Sequence, residues 1–161
     1  MTVIPQSILD GHVDLNPEAL VTLYEVDMAG QGTVYISPME EIQWLGKIYE
    51  RLPAHMADIA REANGKLTRP KFSLANPEGM FSADIASGRL DTATVTRIRA
   101  LRRDVLDNLD FSIRETLNVA RVISMSNQVI VMELRDALDG NQFQIPARRY
   151  MPPEFPHVQL N

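Results

Sequence analysis

The sequence lacks cysteine entirely among its 161 residues. It therefore excludes a disulfide framework, a thiolate metal site and a cysteine nucleophile. A glycine-rich phosphate loop, a nucleophile elbow and an H-E-x-x-H helix are absent as well. No window approaches the ~20 consecutive apolar residues of a membrane-spanning helix, and the first residues do not resemble a secretory signal. We expect a chain with no enzymatic activity, no cofactor and no stable membrane insertion.

Positive charge is also scarce, because 16 Lys and Arg residues stand against 21 Asp and Glu residues, for a net charge of -5. A dedicated nucleic-acid binder needs a basic face that displaces phosphate counterions, so we expect no sequence-specific nucleic acid partner. One local basic cluster contains Arg97, Arg99, Arg102 and Arg103. The simpler interpretation of this cluster is an exposed strand face, or arginines that pair with a neighbour's carboxylates.

Candidate catalytic and metal-binding residues are few. The three histidines are far apart in sequence, at His12, His55 and His157. Asp104, Asp107 and Asp110 follow each other at three-residue spacing, which raises a metal hypothesis. Calcium loops place their ligands at alternate positions around a turn glycine, and this segment has no such glycine. A solvated turn or a short helix is the favoured interpretation, and no catalytic, cofactor or metal residue is assigned.

Hydrophobic residues make up 45% of the chain and charged residues 23%, a composition typical of one globular domain. Residues 20–28 alternate as a strand does, and Gly30-Gln31-Gly32 turns the chain into a partner strand over residues 33–36. Residues 42–51 predict a second hairpin that turns at Gly46-Lys47. Trp44 and Tyr49 most simply pack this hairpin, with a ligand-stacking platform as the alternative.

The organising unit of the chain is predicted over residues 66–102 as a strand, a short helix and a strand. Phe72 and Leu74 fall on one face of the first strand, and Pro70 places that strand at an edge or a bulge. Asn76, followed by Pro77 and Glu78, predicts a helix start, and Gly88 predicts its end. β-Branched residues favour a second strand over residues 92–102.

The remaining segments are predicted with less regular patterns. Residues 54–63 favour a helix by spacing and propensity. Residues 103–115 are acidic and irregular, and residues 116–125 and 128–136 form another hairpin around Ser126-Asn127, with Ile130, Met132 and Leu134 on one face. Asp139-Gly140-Asn141 predicts a turn. The prolines after residue 145 prevent that segment from joining a helix or a central strand.

Several short motifs keep one order along the chain. They include Leu23-Tyr24-Glu25-Val26-Asp27, the Trp44-x-Gly46-x-x-Tyr49 turn, Asn64-Gly65-Lys66 followed by Thr68-Arg69-Pro70, Leu74-Ala75-Asn76 with Gly79-Met80, the basic strand over residues 95–103, and more weakly Ile145-Pro146-Ala147-Arg148. In this order, from about residue 20 to residue 103 and more weakly beyond, the sequence resembles the minor tail protein L family of lambda-like phages.

This resemblance implies a mainly β (α+β) fold, an antiparallel β-barrel or sandwich of the tail-tube or hub type with one short helix packed on it. It implies a virion structural protein at the distal tail tip of a long non-contractile-tailed phage, assembled in the host cytoplasm. The protein would link the distal tail ring protein to the central hub or fibre protein, with the tape measure protein as a further contact. A homo-oligomeric ring, with a trimer favoured, follows from pairing of edge strands. The resemblance also implies a β segment at residues 54–63, which overrules the helical preference.

One departure from the family concerns cysteine. Some family members carry a cysteine-rich C-terminal domain that holds an iron–sulfur cluster, and this sequence has no Cys. We expect an N-terminal arm at residues 1–18, a single β-rich domain at residues 19–145 and a Pro-rich arm at residues 146–161. Alternative functions are a component of a phage-derived bacteriocin or injection apparatus, or a tail-tip cell-wall hydrolase.

Overall fold

The computed structural model describes residues 20–28, 30–58 and 69–136, and the structural statements below concern these ranges. They form nine strands: β1 Leu20–Met28, β2 Gly32–Ser37, β3 Ile42–Trp44, β4 Lys47–Arg51, β5 Ala54–Met56, β6 Lys71–Ala75, β7 Thr94–Leu101, β8 Ser112–Met125 and β9 Val129–Arg135. Two short helices are α1 Ser82–Ala86 and α2 Arg102–Leu106, and 3-10 turns occupy Pro77–Gly79 and Leu90–Thr92. The predicted mainly β fold is confirmed, with a second short helix.

The strands form one sheet in the order β3-β4-β2-β1-β7-β8-β9-β6-β5. All neighbouring pairs are antiparallel except β2 and β4, which are parallel. The predicted barrel is not closed by an unbroken series of paired strands, because β3 and β5 at the two ends of the sheet do not pair with each other. Instead, the Leu52 N–H donates to the Ser37 carbonyl at 3.0 Å, and the Ala75 N–H donates to the Pro53 carbonyl at 2.8 Å. The two residues between β4 and β5 therefore bring opposite ends of the sheet together.

One face of the curled sheet holds the first hydrophobic core. Phe72 and Leu74 of β6 stand opposite Met132 and Ile130 of β9, and all four side chains are buried. Leu134 is buried in the same cluster. The predicted alternation in β6 and β9 is confirmed, because each strand places every second side chain on the same face.

The opposite face carries a second core. Leu23 of β1 packs there with Trp44 and Tyr49 of the β3–β4 hairpin, and Val105 of α2 belongs to the same cluster. Tyr24, the next residue of β1, belongs to the first core. The middle of β1 is therefore covered on both faces, with Leu23 buried on one and Tyr24 on the other.

The predicted central helix is divided into two short pieces. Asn76 is followed by the Pro77–Gly79 turn, and Glu78 has a φ of 55°, outside the helical region. The Asn76 Oδ1 accepts a hydrogen bond from the Phe81 N–H at 3.0 Å, just before α1 rather than in a first helical turn. The predicted end is confirmed, since Gly88 follows α1 with a φ of 72°.

The helical preference for residues 54–63 is wrong where the structure describes them as a strand. Ala54 and Met56 of β5 pair with Leu74 and Phe72 of β6, and Met56 is buried in the first core. Tertiary pairing overrides the intrinsic helix propensity of these residues. Residues 59–63 lie outside the described ranges, as do both predicted arms and the turn predicted at residues 139–141.

Two boundaries also differ from the prediction. The second strand of the central unit begins at Thr94, because the Leu90–Thr92 turn precedes it. The segment predicted as irregular over residues 103–115 contains most of α2 and the start of β8 at Ser112. Ser112 and Glu115 pair with Ala100 and Arg97 of β7, so this part of the segment is already a strand. The acidic composition of the segment did not indicate it.

Candidate assembly surface

Arg97, the first arginine of the predicted basic patch, is an internal brace. Its side chain is only 9% exposed. It donates from Nη1 to Asp58 Oδ1 at 2.8 Å and from Nε to Glu115 Oε2 at 2.9 Å. Burial lowers the pKa of Arg97, but the hydrogen bonds to Asp58 and Glu115 more than offset this effect, so its pKa is raised. The guanidinium stays charged and ties β7 to β8 and to the residues after β5.

The other three arginines of the cluster do not create one free basic surface with it. Arg102 pairs with Glu40 at 2.9 Å, and Arg103 Nε lies 3.5 Å from Asp104 Oδ1. Arg99 is half-buried. Arg97 and Arg102 pair with carboxylates of their own chain. Pairing with a neighbour's carboxylates therefore stays a prediction, whereas a single exposed patch is wrong because Arg97 is buried.

A polar cluster that the sequence patterns did not predict braces the β3–β4 hairpin. Glu25 Oε1 accepts hydrogen bonds from Lys47 Nζ at 2.8 Å and from the Tyr49 hydroxyl at 2.7 Å. Burial raises the pKa of Glu25, but the bonds from Lys47 and Tyr49 outweigh it and lower the pKa below its usual value. Burial, together with the bond to Glu25, raises the pKa of Tyr49. Glu25 is thus held as a carboxylate beneath the hairpin.

The predicted β3–β4 hairpin is present and buries its aromatic residues, but it turns at Leu45-Gly46, one residue earlier than predicted, because Lys47 already pairs with Trp44. Leu45 and Gly46 both have positive φ, at 50° and 74°, as a tight two-residue hairpin turn requires. The Trp44 Nε1–H donates to the Leu109 carbonyl at 3.0 Å, and the Leu45 N–H donates to Asn108 Oδ1 at 2.7 Å. Trp44 is fully buried. The packing interpretation is therefore confirmed over a ligand-stacking platform.

The sequence-derived metal and catalytic candidates are not brought together. Within the described ranges, no group of three or more His, Asp or Glu side chains has a geometry that could hold a metal ion. Of the predicted carboxylate series, Asp104 is buried while Asp107 and Asp110 are exposed. His55 is exposed on β5, and the other two histidines lie outside the described residues. None of the helices in these ranges is long and apolar enough to cross a membrane.

Exposed apolar side chains collect instead at the end of the β8–β9 hairpin. Ile123, Met125 and Val129 are 44%, 49% and 42% exposed, and we call these three residues the tip surface. β7 pairs with β8 only as far as Asn118. The Val119 N–H still donates to the Ala93 carbonyl at 2.9 Å, and beyond it β9 is the neighbour of β8 among the described strands.

A shallow groove lies beside α2, at the other end of β8. We call it the α2 groove. It is lined by the apolar side chains Val21, Ile42, Val105 and Leu106 and by the polar side chains Glu40, Glu41, Gln43 and Arg102. Leu106 is 74% exposed. The groove therefore combines an apolar lining with carboxylates. Sequence reasoning missed both surfaces, although the uncharged run over residues 122–132 was visible as a signal.

The fold and these surfaces define a class: a mainly β domain whose buried polar side chains brace the sheet and which exposes apolar side chains at the tip surface and beside α2. Residues 31–118 match the family model described as phage minor tail protein L. Because this match covers more than half of the sequence, the chain belongs to the phage minor tail protein L family, a family of tail structural proteins.

The fold is also similar to that of a chain in a solved structure described as the virion of a native gene transfer agent particle. The TM-score is 0.61 and the sequence identity 18%, over 91% of this chain and 48% of that chain. This chain thus spans about half the length of that one. None of the curated proteins matches the sequence.

Proposed function

We propose that this protein is a structural component of the distal tail tip in the virion of a long non-contractile-tailed phage. It links the end of the tail tube, or the distal tail ring, to the central hub or host-recognition fibre. The observation that carries this proposal is the family match over residues 31–118. The similar fold of a chain from a gene transfer agent virion supports a place within a particle.

The distribution of polar and apolar side chains supports an assembly role. Arg97 and Glu25 use their charges to brace the domain internally. The tip surface and Leu106 leave apolar area in contact with water. Exposed apolar patches commonly mark protein–protein interaction sites. We propose a homo-oligomeric ring, with a trimer favoured, that buries more than about 2,000 Å² in total if the association is permanent.

Immunogold electron microscopy tests the position in the particle. Gold-labelled antibody against this chain is applied to intact particles and to particles whose tail tips have been opened gently. We expect gold only at the distal tail end. Antibody preadsorbed with the purified chain is the control. Label spread along the whole tail, or none on either preparation, would exclude the tail-tip position, and label on a headless tail-like particle would favour a bacteriocin or injection apparatus.

The Pro-rich arm at residues 146–161 is proposed to dock on a neighbouring tail protein. Deleting residues 150–161 should leave the circular dichroism spectrum and thermal unfolding of the domain unchanged but prevent its incorporation into particles. Incorporation is measured by immunoblotting purified particles made with the truncated or the full chain. Normal amounts of the truncated chain in particles would refute the docking role.

A further inference from the structure

We propose that copies of this chain contact each other through an ion pair in which Asp107 of one copy binds Arg99 of the next. This inference rests on the proposed assembly function and names the groups that meet. It commits to a second copy of the chain as the partner of Arg99. The contact is heterologous, because each copy contributes two different surfaces, and it produces a ring where its rotation closes.

Arg99 is a half-buried cation, and it forms no hydrogen bond or ion pair with any residue that the structure describes. Its strand neighbours explain the difference from Arg97. Arg97 stands opposite Glu115 of β8, which binds its guanidinium, whereas Arg99 stands between Thr22 of β1 and Ile113 of β8. These two neighbours supply no carboxylate. Burying a cation without a partner costs free energy, so a carboxylate from another molecule stabilises Arg99.

Apolar side chains surround Arg99 on its face of the sheet. Strand pairing places Thr22 and Ile113 beside it, and Leu20, two residues before Thr22, is 45% exposed on the same face. Phe111, two residues before Ile113, is 46% exposed. We call these five residues the Arg99 surface. Interface cores are enriched in arginine and aromatic side chains, so this surface suits a carboxylate that is flanked by apolar side chains.

The segment that follows α2 has this chemistry. Asp107 is exposed, and its side chain has no hydrogen bond or ion pair within the described part of the chain. Leu106 before it is 74% exposed, and Leu109 after it is 42% exposed. One unpaired carboxylate between two exposed leucines therefore complements one unpaired guanidinium among exposed apolar side chains.

Hydrogen bonds hold the segment after α2 in a fixed shape. Asn108 has a φ of 56°, in the left-handed region that asparagine tolerates. The Leu109 N–H donates to the Asp104 carbonyl at 2.8 Å, and Asn108 Oδ1 accepts a hydrogen bond from the Leu45 N–H at 2.7 Å. A preorganised segment loses little conformational entropy when it binds. The turn therefore presents Asp107 ready for a partner.

Arg99 and Asp107 of one copy lie on opposite faces of the sheet. Arg99 shares its face of β7 with Val95, which belongs to the first core. Asp107 follows α2, and α2 packs in the second core through Val105. Each group is thus left for another molecule, and a single repeated contact between copies satisfies both.

Carbodiimide crosslinking in assembled particles tests the contact. The reagent joins an amine and a carboxylate that already touch through an amide bond, and it takes up the water that is lost. Arg99→Lys supplies the amine and keeps the positive charge. We expect covalent multimers of this chain on a denaturing gel, and mass spectrometry should find a peptide pair that joins positions 99 and 107. The native pair of Lys47 and Glu25, at 2.8 Å, should be linked within each copy and shows that the reagent has acted.

The matched control combines Arg99→Lys with Asp107→Asn, which keeps the size of the side chain but removes its carboxylate. This variant should give no multimers linked at position 99. A link from position 99 to Asp58 of the same copy, a link to a carboxylate of another tail protein, or no link at all would each show that the contact between copies is wrong, although the assembly function stands. Absence of the original chain from purified particles would instead end both proposals.

Charge reversal gives a second measurement that does not depend on the lysine variant. Arg99→Asp and Asp107→Arg should each reduce incorporation into particles by about tenfold or more, the scale of a lost interfacial charge pair. The two substitutions together should restore most of it. Asp91→Arg is the control, since Asp91 is exposed and outside the proposed contact. Circular dichroism checks that each variant folds, and a folded double variant that is not incorporated would overturn the contact.

Discussion

The two hairpins at opposite parts of the sheet use their hydrophobic residues in opposite ways. The β3–β4 hairpin buries Trp44 and Tyr49 against its own domain and secures them with polar contacts. The β8–β9 hairpin buries its stem but exposes Ile123 and Met125 at its end. The comparison shows that an apolar hairpin residue contributes to folding in the first case and is available for association in the second.

The difference arises from what each hairpin lies against. The β3–β4 hairpin packs against β1, β7 and α2. In the loop after α2, the Leu109 carbonyl accepts a hydrogen bond from the Trp44 Nε1–H. The end of the β8–β9 hairpin extends beyond the last residue of β8 that pairs with β7. Mutations in the first hairpin should therefore change stability, and mutations in the end of the second should change assembly.

The largest expected effect is at Trp44. Trp44→Ala removes the largest buried side chain of the second core and should lower the free energy of unfolding by about 3–5 kcal/mol. Guanidinium chloride unfolding measures the change. Ile48→Ala on the same hairpin is the control, because Ile48 is 57% exposed and its loss should cost less than about 0.5 kcal/mol. Equal losses for the two variants would contradict the assignment of this hairpin to the folding core.

Arg97 gives the next effect. Arg97→Ala leaves Glu115 without its buried partner and should lower the free energy of unfolding by about 2 kcal/mol, the scale of hydrogen bonds to charged groups. Arg121→Ala is matched to it, because Arg121 pairs with Glu133 but is 72% exposed, and it should cost less than about 1 kcal/mol. Urea unfolding at neutral pH compares the two. A smaller loss for Arg97→Ala than for Arg121→Ala would show that the internal brace adds little.

Tyr49→Phe should have a smaller effect that depends on pH. Removal of the hydroxyl that donates to Glu25 should cost about 1 kcal/mol at pH 7. The folded pKa of Glu25 is lowered, so its contribution is present above the unfolded pKa of about 4.3 and is lost as pH falls through the folded pKa. The variant raises the folded pKa towards the unfolded value.

Urea unfolding at a series of pH values from neutral to acid measures this coupling. The stability of Tyr49→Phe should fall less between pH 7 and the folded pKa of Glu25 than that of the original chain. Tyr35→Phe is the control, since Tyr35 contacts the Tyr49 ring edge-on at a centroid distance of 5.4 Å but has no hydrogen bond to Glu25. Parallel pH curves for all three proteins would argue against the Glu25 interaction.

The smallest effect on stability is expected at the tip surface. Met125→Ser replaces a half-exposed side chain and should change the free energy of unfolding by less than about 0.5 kcal/mol. Its incorporation into particles should nevertheless fall, because the tip loses apolar area. Met39→Ser is the control, since Met39 is 81% exposed and outside both surfaces. Equal incorporation of the two variants would remove the distinction between the hairpins.

Much of the fold was predictable where local rules and tertiary contacts agree. The alternation in β6 and β9, the turn between β3 and β4, and the glycine after α1 each follow from a local steric or periodic requirement. β5 was predicted correctly only through the family resemblance, because its composition favours a helix. Neither the tip surface nor the α2 groove was predicted, because exposure depends on where neighbouring strands end.

The sequence by itself determined the class of fold, the family and the absence of cysteine chemistry. Composition, strand periodicity and motif order are local or collinear properties, so they can be read without coordinates. The tertiary structure decided which charges brace the interior and which apolar residues remain exposed. Arg97 and Arg121 are both strand arginines in the sequence, yet only Arg97 is buried, where Asp58 and Glu115 contact its guanidinium.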